Sequence, residues 1–145
     1  MKKIYLLSLL FLTFCSNVEE KSLNTVTVKQ FKEFINATGY ETDAERYGWS
    51  IVQLNVYDYK IVDGATWLRP DGDNLTIDSL PVTQVSYKDA VEYCKWAGVS
   101  LPTYEQYWKL VSSDERLIVS DNKYPISPVE EVNIIGNVWE IGRAS

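Results

Sequence analysis

Apolar residues recur at helical spacing near the start of the folded part of the chain. They fall on one face of a helix at Val28, Phe31, Phe34 and Ile35. Gly39 follows them, and glycine is the residue that most readily adopts the left-handed conformation at a helix end. The pattern therefore predicts an amphipathic helix over residues 28–38.

A second helix is predicted from its start and stop signals. Ser86 and Asp89 form a capping-box-like pair, with aspartate in place of the usual Glu or Gln, before "AVEYCKWA". Gly98 closes the pattern. We expect the inward face of this helix to consist of Ala90, Val91, Cys94 and Ala97.

A third, shorter helix is predicted to start after Thr103. The Thr103 hydroxyl can cap the helix, and Gln106 stands three residues further on as its capping partner. The expected buried stripe consists of Tyr107, Leu110 and Val111.

Residues 48–69 are rich in β-branched and aromatic residues. The runs "WSIVQLNVYDYKIV" and "GATWLR" are typical of strands, and "PDGD" after them is typical of a turn. We predict two or three short strands here. Helices interleaved with separate short strands indicate an α+β domain with much irregular structure.

The first residues of the chain have the layout of a secretory signal. Lys2 and Lys3 precede a mostly apolar stretch that ends at Cys15, too short for the about 20 apolar residues of a membrane span. The run "LTFCSN" resembles a bacterial lipoprotein processing site, although Phe14 stands where a small residue is usual. We interpret residues 1–15 as a signal with Cys15 as the lipidated residue, residues 16–24 as a tether, and residues 25–145 as the domain. The alternative is an ordinary cleaved signal with an incidental cysteine.

Composition narrows the function classes. With 46% hydrophobic and 13% aromatic residues in 145, the chain suits one domain. Its net charge of -6 without a basic cluster argues against a nucleic-acid partner, since such binding rests on Lys and Arg that neutralise phosphates. We expect an exported protein, anchored by lipid to the bacterial cell membrane or envelope.

Cysteine and histidine usage restricts the chemistry further. If Cys15 carries lipid, Cys94 has no intramolecular disulfide partner, and a small buried residue is its simplest interpretation. The sequence contains no histidine. This excludes serine triads, histidine bases and histidine-bound zinc or iron within these residues.

Four blocks, in order, resemble the formylglycine-generating enzyme family, also called sulfatase-modifying factors. The blocks are "VTVKQFKEFINATGYETDAERYGWSIV", "GATWLRPDGD", "LPVTQVSYKDAVEYCKWAGVSLPTYEQYW" and "NIIGNVWEI". The resemblance implies a modified C-type-lectin-like fold with little regular secondary structure.

The resemblance also implies where catalysis would come from. Catalytic members oxidise a sulfatase cysteine with two cysteines and a bound copper ion, which lie after the "GNVWE" block, and related sulfoxide synthases bind iron through histidines. This sequence ends at Ser145, shortly after Glu140, so we expect the C-terminal part of the domain to be missing and neither copper nor iron to bind. Cys94 matches the structural cysteine of the family's "AYC-WAG" helix, and Trp96 and Trp139 are expected to be structural beside it.

A calcium site of the family can be traced on the last block. Its pattern N-x-x-G-x-A-x-E falls on Asn133, Gly136, Val138 and Glu140, with valine for alanine. Side-chain, carbonyl and carboxylate oxygens are the ligands that Ca²⁺ takes. In the alternative interpretation, Trp139 and Ile141 anchor the segment in the core without any metal.

Two functions remain open. The first is a non-catalytic lipoprotein that binds a protein or glycan of the envelope. The second is a truncated or split formylglycine-generating oxidoreductase acting on a sulfatase cysteine. In either case we expect a sheet edge or an apolar face to be left uncovered, available to a partner or a second copy.

Overall fold

The computed structural model describes residues 24–55, 57–111, 128–129 and 137–143. Within them the elements follow in the order α1 Val28–Thr38, α2 Asp43–Tyr47, β1 Trp49–Gln53, β2 Tyr59–Asp63, α3 Tyr87–Ala97 and α4 Tyr104–Val111. The mixed α+β composition is confirmed. Among these helices none combines the length and the apolar character that crossing a membrane requires. The predicted signal with Cys15, and the residues Asn133 and Gly136, lie outside the described residues.

Helix α1 has the bounds that its apolar spacing predicts. The Thr27 side chain caps it by accepting a hydrogen bond from the amide of Gln30 at 3.2 Å. The Gln30 side chain in turn accepts one from the amide of Thr27 at 2.9 Å. Gly39 ends the helix at φ 65°, a conformation that costs little for glycine. Capping boxes likewise start α2, α3 and, through Thr103 and Gln106, α4.

The core is a cluster of aromatic rings between α1 and α3. The ring of Phe31 lies 5.4 Å from that of Phe34, 5.5 Å from Trp67 and 5.8 Å from Tyr93. Phe31 and Phe34 are 1% and 2% exposed. Burying each such side chain contributes about 1.5–3 kcal/mol. The Trp67 indole N–H donates to Oε1 of Glu45 at 3.1 Å, so its polar atom is satisfied inside the protein.

Helix α3 is rotated relative to the expected inward face. The structure buries Asp89 and Tyr93, while Ala90, Val91, Cys94 and Ala97 are half-buried. The prediction was correct for Cys94 and Ala97, which pack against the aromatic core, but it missed Asp89 and Tyr93, the buried residues of this helix, because it favoured small apolar side chains. Tyr93 offers more area to Phe31 and Phe34 than an alanine does, and Asp89 finds hydrogen-bond donors inside the protein.

Strands β1 and β2 form an antiparallel hairpin. Trp49 pairs with Asp63, Ile51 with Ile61, and Gln53 with Tyr59. The third strand allowed by "GATWLR" is not formed, since residues 64–69 are turns and irregular backbone. Just beyond them Gly72 adopts φ 89°, where a Cβ atom would stand 2.7 Å from the carbonyl oxygen of Asp63. Only glycine lets this loop close on the end of β2.

The more apolar face of the hairpin points to solvent. Trp49, Ile51, Tyr59 and Ile61 share this face and are 38%, 55%, 58% and 60% exposed. The opposite face carries Ser50, Val52, Lys60 and Val62, of which all but Lys60 are half-buried. A sheet with one covered face normally places its apolar side inward. This hairpin does the reverse.

Candidate functional site

Residues 137–143 form hydrogen bonds with three distant parts of the chain. The Thr25 hydroxyl donates to Oε1 of Glu140 at 2.9 Å. The Trp139 indole N–H donates to Oε1 of Gln53 at 2.8 Å. The Arg143 amide donates to the carbonyl of Pro102 at 2.9 Å. The segment therefore joins the chain before α1, the end of β1 and the connector before α4.

Two of the four predicted calcium ligands lie in this segment. Val138 is half-buried, and Glu140 is exposed as a residue although its carboxyl reaches the buried Thr25. Burial raises the pKa of the Glu140 carboxyl above its ordinary value, and the hydrogen bond from Thr25 acts in the opposite direction.

The donor chemistry fits calcium as far as it is described. The Val138 carbonyl and the Glu140 carboxylate are hard oxygens of the kind that Ca²⁺ takes. Among the described residues, no three or more His, Cys, Asp or Glu side chains come together as a metal cluster. With Asn133 and Gly136 outside those residues, calcium binding stays a prediction.

Four of the five tryptophans, all within the described ranges, are exposed. Trp139 is 73% exposed and Trp96 42%, whereas Trp67 is 4% exposed. Trp139 as a core anchor was therefore wrong; its indole is held by one hydrogen bond to Gln53 and its ring faces solvent. Trp96 lies at the core margin, with its ring 5.7 Å from that of Phe34.

Cys94 occupies the place expected of a structural cysteine. It is half-buried on α3, where it packs against the aromatic core. Burial raises the pKa of its thiol above the ordinary value of 9.0. Since the thiolate is the nucleophilic form, this position suppresses reactivity at neutral pH.

Asp89 was predicted only as a capping residue, but the structure shows a buried carboxylate with several hydrogen-bond donors around it. Asp89 is 0% exposed and accepts hydrogen bonds from the Tyr40 hydroxyl at 2.9 Å, the Asp43 amide at 3.1 Å and the Ser86 amide at 2.8 Å. Burial of the Tyr40 hydroxyl and its hydrogen bond to Asp89 raise the pKa of Tyr40. The Ser86 hydroxyl donates to Oδ2 of Asp43 at 2.6 Å. This junction fixes the N-termini of α2 and α3 against each other.

The "DGDN" turn holds its own carboxylate. Asp71 accepts hydrogen bonds from the amide and the side-chain amide of Asn74, both at 2.8 Å, and from the amide of Asp73 at 3.0 Å. These bonds lower the pKa of Asp71 to about 2. The neighbouring cleft has a volume of about 230 Å³ and is lined by side chains such as Leu75, Leu80 and Pro81. It is smaller than the roughly 300–1,000 Å³ of typical ligand pockets.

Several large apolar side chains are exposed together on the outward side of the hairpin. We call it the hairpin face, and it consists of Tyr47, Trp49, Ile51, Tyr59, Ile61 and Trp139. Tyr47 and Trp49 stack with their ring centroids 6.0 Å apart and their planes at 28°. The hydrogen bond to Gln53 brings Trp139 to the end of β1. The pairing of β1 with β2 places the strand residues of this face on one side. An uncovered apolar face or sheet edge was expected from the sequence, but the sequence did not indicate which residues form it.

Comparisons with known proteins bear on both the site and its relatives. A family model described as the sulfatase-modifying factor enzyme 1-like domain matches residues 22–115. The formylglycine-generating enzyme of Thermomonospora curvata is 41% identical over 105 residues, which cover 60% of this chain and 34% of that protein. The formylglycine-generating enzyme of Mus musculus is 30% identical over 170 residues, covering 79% of this chain and 46% of that protein.

A relative of a different kind also matches. The protein named inactive C-alpha-formylglycine-generating enzyme 2 of Mus musculus is 38% identical over 100 residues, covering 57% of this chain and 32% of that protein. The chain thus spans about a third to a half of the length of these three relatives. With the match of the family model over residues 22–115, this chain belongs to the sulfatase-modifying factor family.

Proposed function

We propose that the protein is a non-catalytic member of its family, a lipid-anchored interaction module of the bacterial envelope. Its domain keeps the modified C-type-lectin-like architecture that the family implies. The hairpin face is the observation that carries this proposal. Exposed contiguous apolar patches of this kind mark binding surfaces on soluble domains.

The position of Cys94 supports the absence of catalysis in these residues. Its thiol is packed against the core with a raised pKa, and the other cysteine of the sequence, Cys15, stands in the signal-like region. The mouse relative named inactive is similar to this chain over a comparable stretch. The family therefore already includes a relative that is named as inactive.

A direct assay tests this function. The purified full chain, in mild detergent with copper and oxygen, is incubated with a peptide carrying a sulfatase-type cysteine. Mass spectrometry should find the peptide cysteine unoxidised, while the Thermomonospora curvata relative assayed in parallel converts it. Formylglycine formed by this chain would overturn the proposal. A Cys94→Ser variant then shows whether that thiol takes part.

The alternative is that the chain is one part of a formylglycine-generating oxidoreductase. It is favoured by the length of the relatives, which extend well beyond the matched region. Intact mass spectrometry of the protein isolated from its source cells distinguishes the two. A larger polypeptide, or a stable complex with a second one that carries paired cysteines, would support the alternative.

Membrane attachment through Cys15 is part of the proposal. Lipidation adds about 0.8 kcal/mol per buried CH₂ to membrane affinity, so processed protein should partition into the membrane fraction. A Cys15→Ala variant should lose fatty-acid labelling and the mass of the acyl chains. A Cys94→Ala variant should keep both. Labelling that survives Cys15→Ala would contradict the anchor.

Calcium binding at the last block is proposed on the same footing. When bound, Ca²⁺ would neutralise the Glu140 carboxylate and hold the backbone of residues 133–140. Calorimetric titration of the full chain with CaCl₂ should give weak binding that Glu140→Gln abolishes. Glu105→Gln, an exposed glutamate on α4, is the matched control and should change nothing. Equal titrations for both variants would exclude Glu140 as a ligand.

A further inference from the structure

We propose that the hairpin face is the interface of a two-fold homodimer. The inference rests on the proposed function only because it takes this face as the interaction surface. The partner that it names for this surface is a second copy of this chain. The face is exposed on the folded domain, and its strand residues lie on the side away from half-buried Val52 and Val62.

The size of the face suits a protein partner. Its six side chains are between 38% and 73% exposed. Taking about 150–250 Å² for each aromatic side chain, they present roughly 600 Å² of largely apolar surface. That is at the upper end of the about 300–600 Å² patch of a typical monomer. It approaches the about 800 Å² that each partner contributes to a standard interface, and the polar rim adds to it.

The net charge of the protein opposes self-association everywhere except at a surface with few charged side chains, and the hairpin face is such a surface. With a net charge of -6, two copies repel each other wherever their acidic surfaces approach. On the strand face formed by the Trp49–Asp63, Ile51–Ile61 and Gln53–Tyr59 pairs, Asp63 is the charged side chain. A basic partner would find little to pair with here, whereas an almost uncharged apolar face is complementary to itself.

The strand register removes the remaining repulsion. A two-fold axis that passes between the Ile51–Ile61 pairs of the two copies, in the plane of the interface and perpendicular to the strands, would lay the Trp49–Asp63 end of one hairpin over the Gln53–Tyr59 end of the other. The two Asp63 carboxylates then lie at opposite ends of the interface. Each faces an end that carries the polar tips of Gln53 and Tyr59. The four isoleucines of the two copies meet at the centre.

Sedimentation equilibrium on the full chain in density-matched detergent tests the dimer. The wild type should give twice the protein mass that mass spectrometry finds for the same preparation, which is 16.7 kDa for the unprocessed chain. Added NaCl should strengthen association by screening the net charge. The double variant Ile51→Lys/Ile61→Lys places four ammonium groups at the centre. It should raise the dissociation constant at least about tenfold.

Leu75→Lys/Ile77→Lys is the matched control. It adds the same charge at residues 60% and 58% exposed, outside the hairpin face, and should remain dimeric. If the lysine variant of the face does not fold, judged by near-ultraviolet circular dichroism, Ile61→Thr keeps a β-branched residue in the strand and removes apolar area.

Several results would overturn the dimer. A monomeric wild type would do so. Equal association of the face variant and the control variant would do so as well, because association through the N-terminal residues, which all variants share, would be the same in each. Dimers that dissociate in NaCl would point to an ionic interface elsewhere. None of these results bears on the peptide oxidation assay, so the dimer and the lack of catalysis fail separately.

Discussion

The aromatic core and the hairpin face are built from similar residue types with opposite outcomes. Phe31, Phe34 and Tyr93 interlock between α1 and α3 and lose almost all contact with water. Trp49 and Tyr59 on the hairpin remain 38% and 58% exposed. Hydrophobic residues in a strand pattern do not by themselves make a core. A second layer must cover them, and here α1 and α3 cover each other.

The largest expected effect separates the two regions directly. Phe31→Ala should lower the free energy of unfolding by about 3–5 kcal/mol, because it leaves a cavity among Phe34, Trp67 and Tyr93. Urea denaturation followed by tryptophan fluorescence measures it. Tyr59→Ala, the same kind of truncation on the hairpin face, should cost less than about 1 kcal/mol in the monomer. Equal losses would mean that the hairpin face is part of the cooperative core.

Asp89 tests whether the core depends on a polar junction as well as on rings. Asp89→Ala leaves the Tyr40 hydroxyl and the amides of Asp43 and Ser86 without their acceptor, and we expect a loss of about 2–4 kcal/mol. Asp89→Asn, which keeps one acceptor oxygen, should lose less.

The exposed aspartate Asp78 supplies the control for this junction. It pairs with Lys32 at 2.6 Å on the surface, so Asp78→Ala should cost about 0–1 kcal/mol. The same urea titrations compare the variants. If Asp89→Ala and Asp78→Ala were alike, the buried junction would contribute nothing beyond a surface ion pair.

The loop that closes on the end of β2 should tolerate substitution less well than the exposed side chains of the hairpin face. Gly72→Ala forces a methyl group to 2.7 Å from the Asp63 carbonyl at φ 89°, and should destabilise the protein by about 1–3 kcal/mol. Gly39→Ala shares a positive φ, but nothing lies within 4 Å of its Cβ position, so its loss should be smaller. Thermal unfolding measured by circular dichroism ranks the two, and the reverse order would contradict the close contact.

The smallest effect concerns the margin of the core at Cys94. Because burial raises its pKa above 9.0, the fold favours the protonated thiol. This contribution is present below pH 9.0, and it is lost as the pH rises through the folded-state pKa. Labelling of Cys94 by a maleimide at about pH 8 should therefore be slow and accelerate in urea. A cysteine introduced by Ile61→Cys on the hairpin face should react fast in both conditions.

Much of the helical framework is predictable from local signals. Apolar spacing and capping residues predict α1 with its observed bounds, and Ser86 with Gly98 brackets α3, because these signals act within a few residues of where they stand. The rotation of α3 is not predictable in this way. It depends on Asp89 finding donors from Tyr40 and Asp43, far away in the chain.

The candidate sites are less predictable for the same reason. The residue types around Ile51 and Ile61 predict short strands, but that the two residues share an exposed side depends on the strand register and on elements elsewhere in the chain. Trp139 was assigned to the core from its residue type, and its exposure reflects where Gln53 holds it. The ligand pattern at Val138 and Glu140 indicates calcium through family resemblance, and its other two members lie outside the described residues.

The fastening of residues 137–143 has a consequence for how the protein reaches its folded state. Glu140 meets Thr25 across 115 residues and Trp139 meets Gln53 across 86, so both contacts close very long loops. Helices form within microseconds, whereas contacts between distant parts of a chain form later and slow folding. During synthesis, α1 and the hairpin leave the ribosome well before residues 137–143 have been made. Docking of this segment is therefore expected to be the last step of folding.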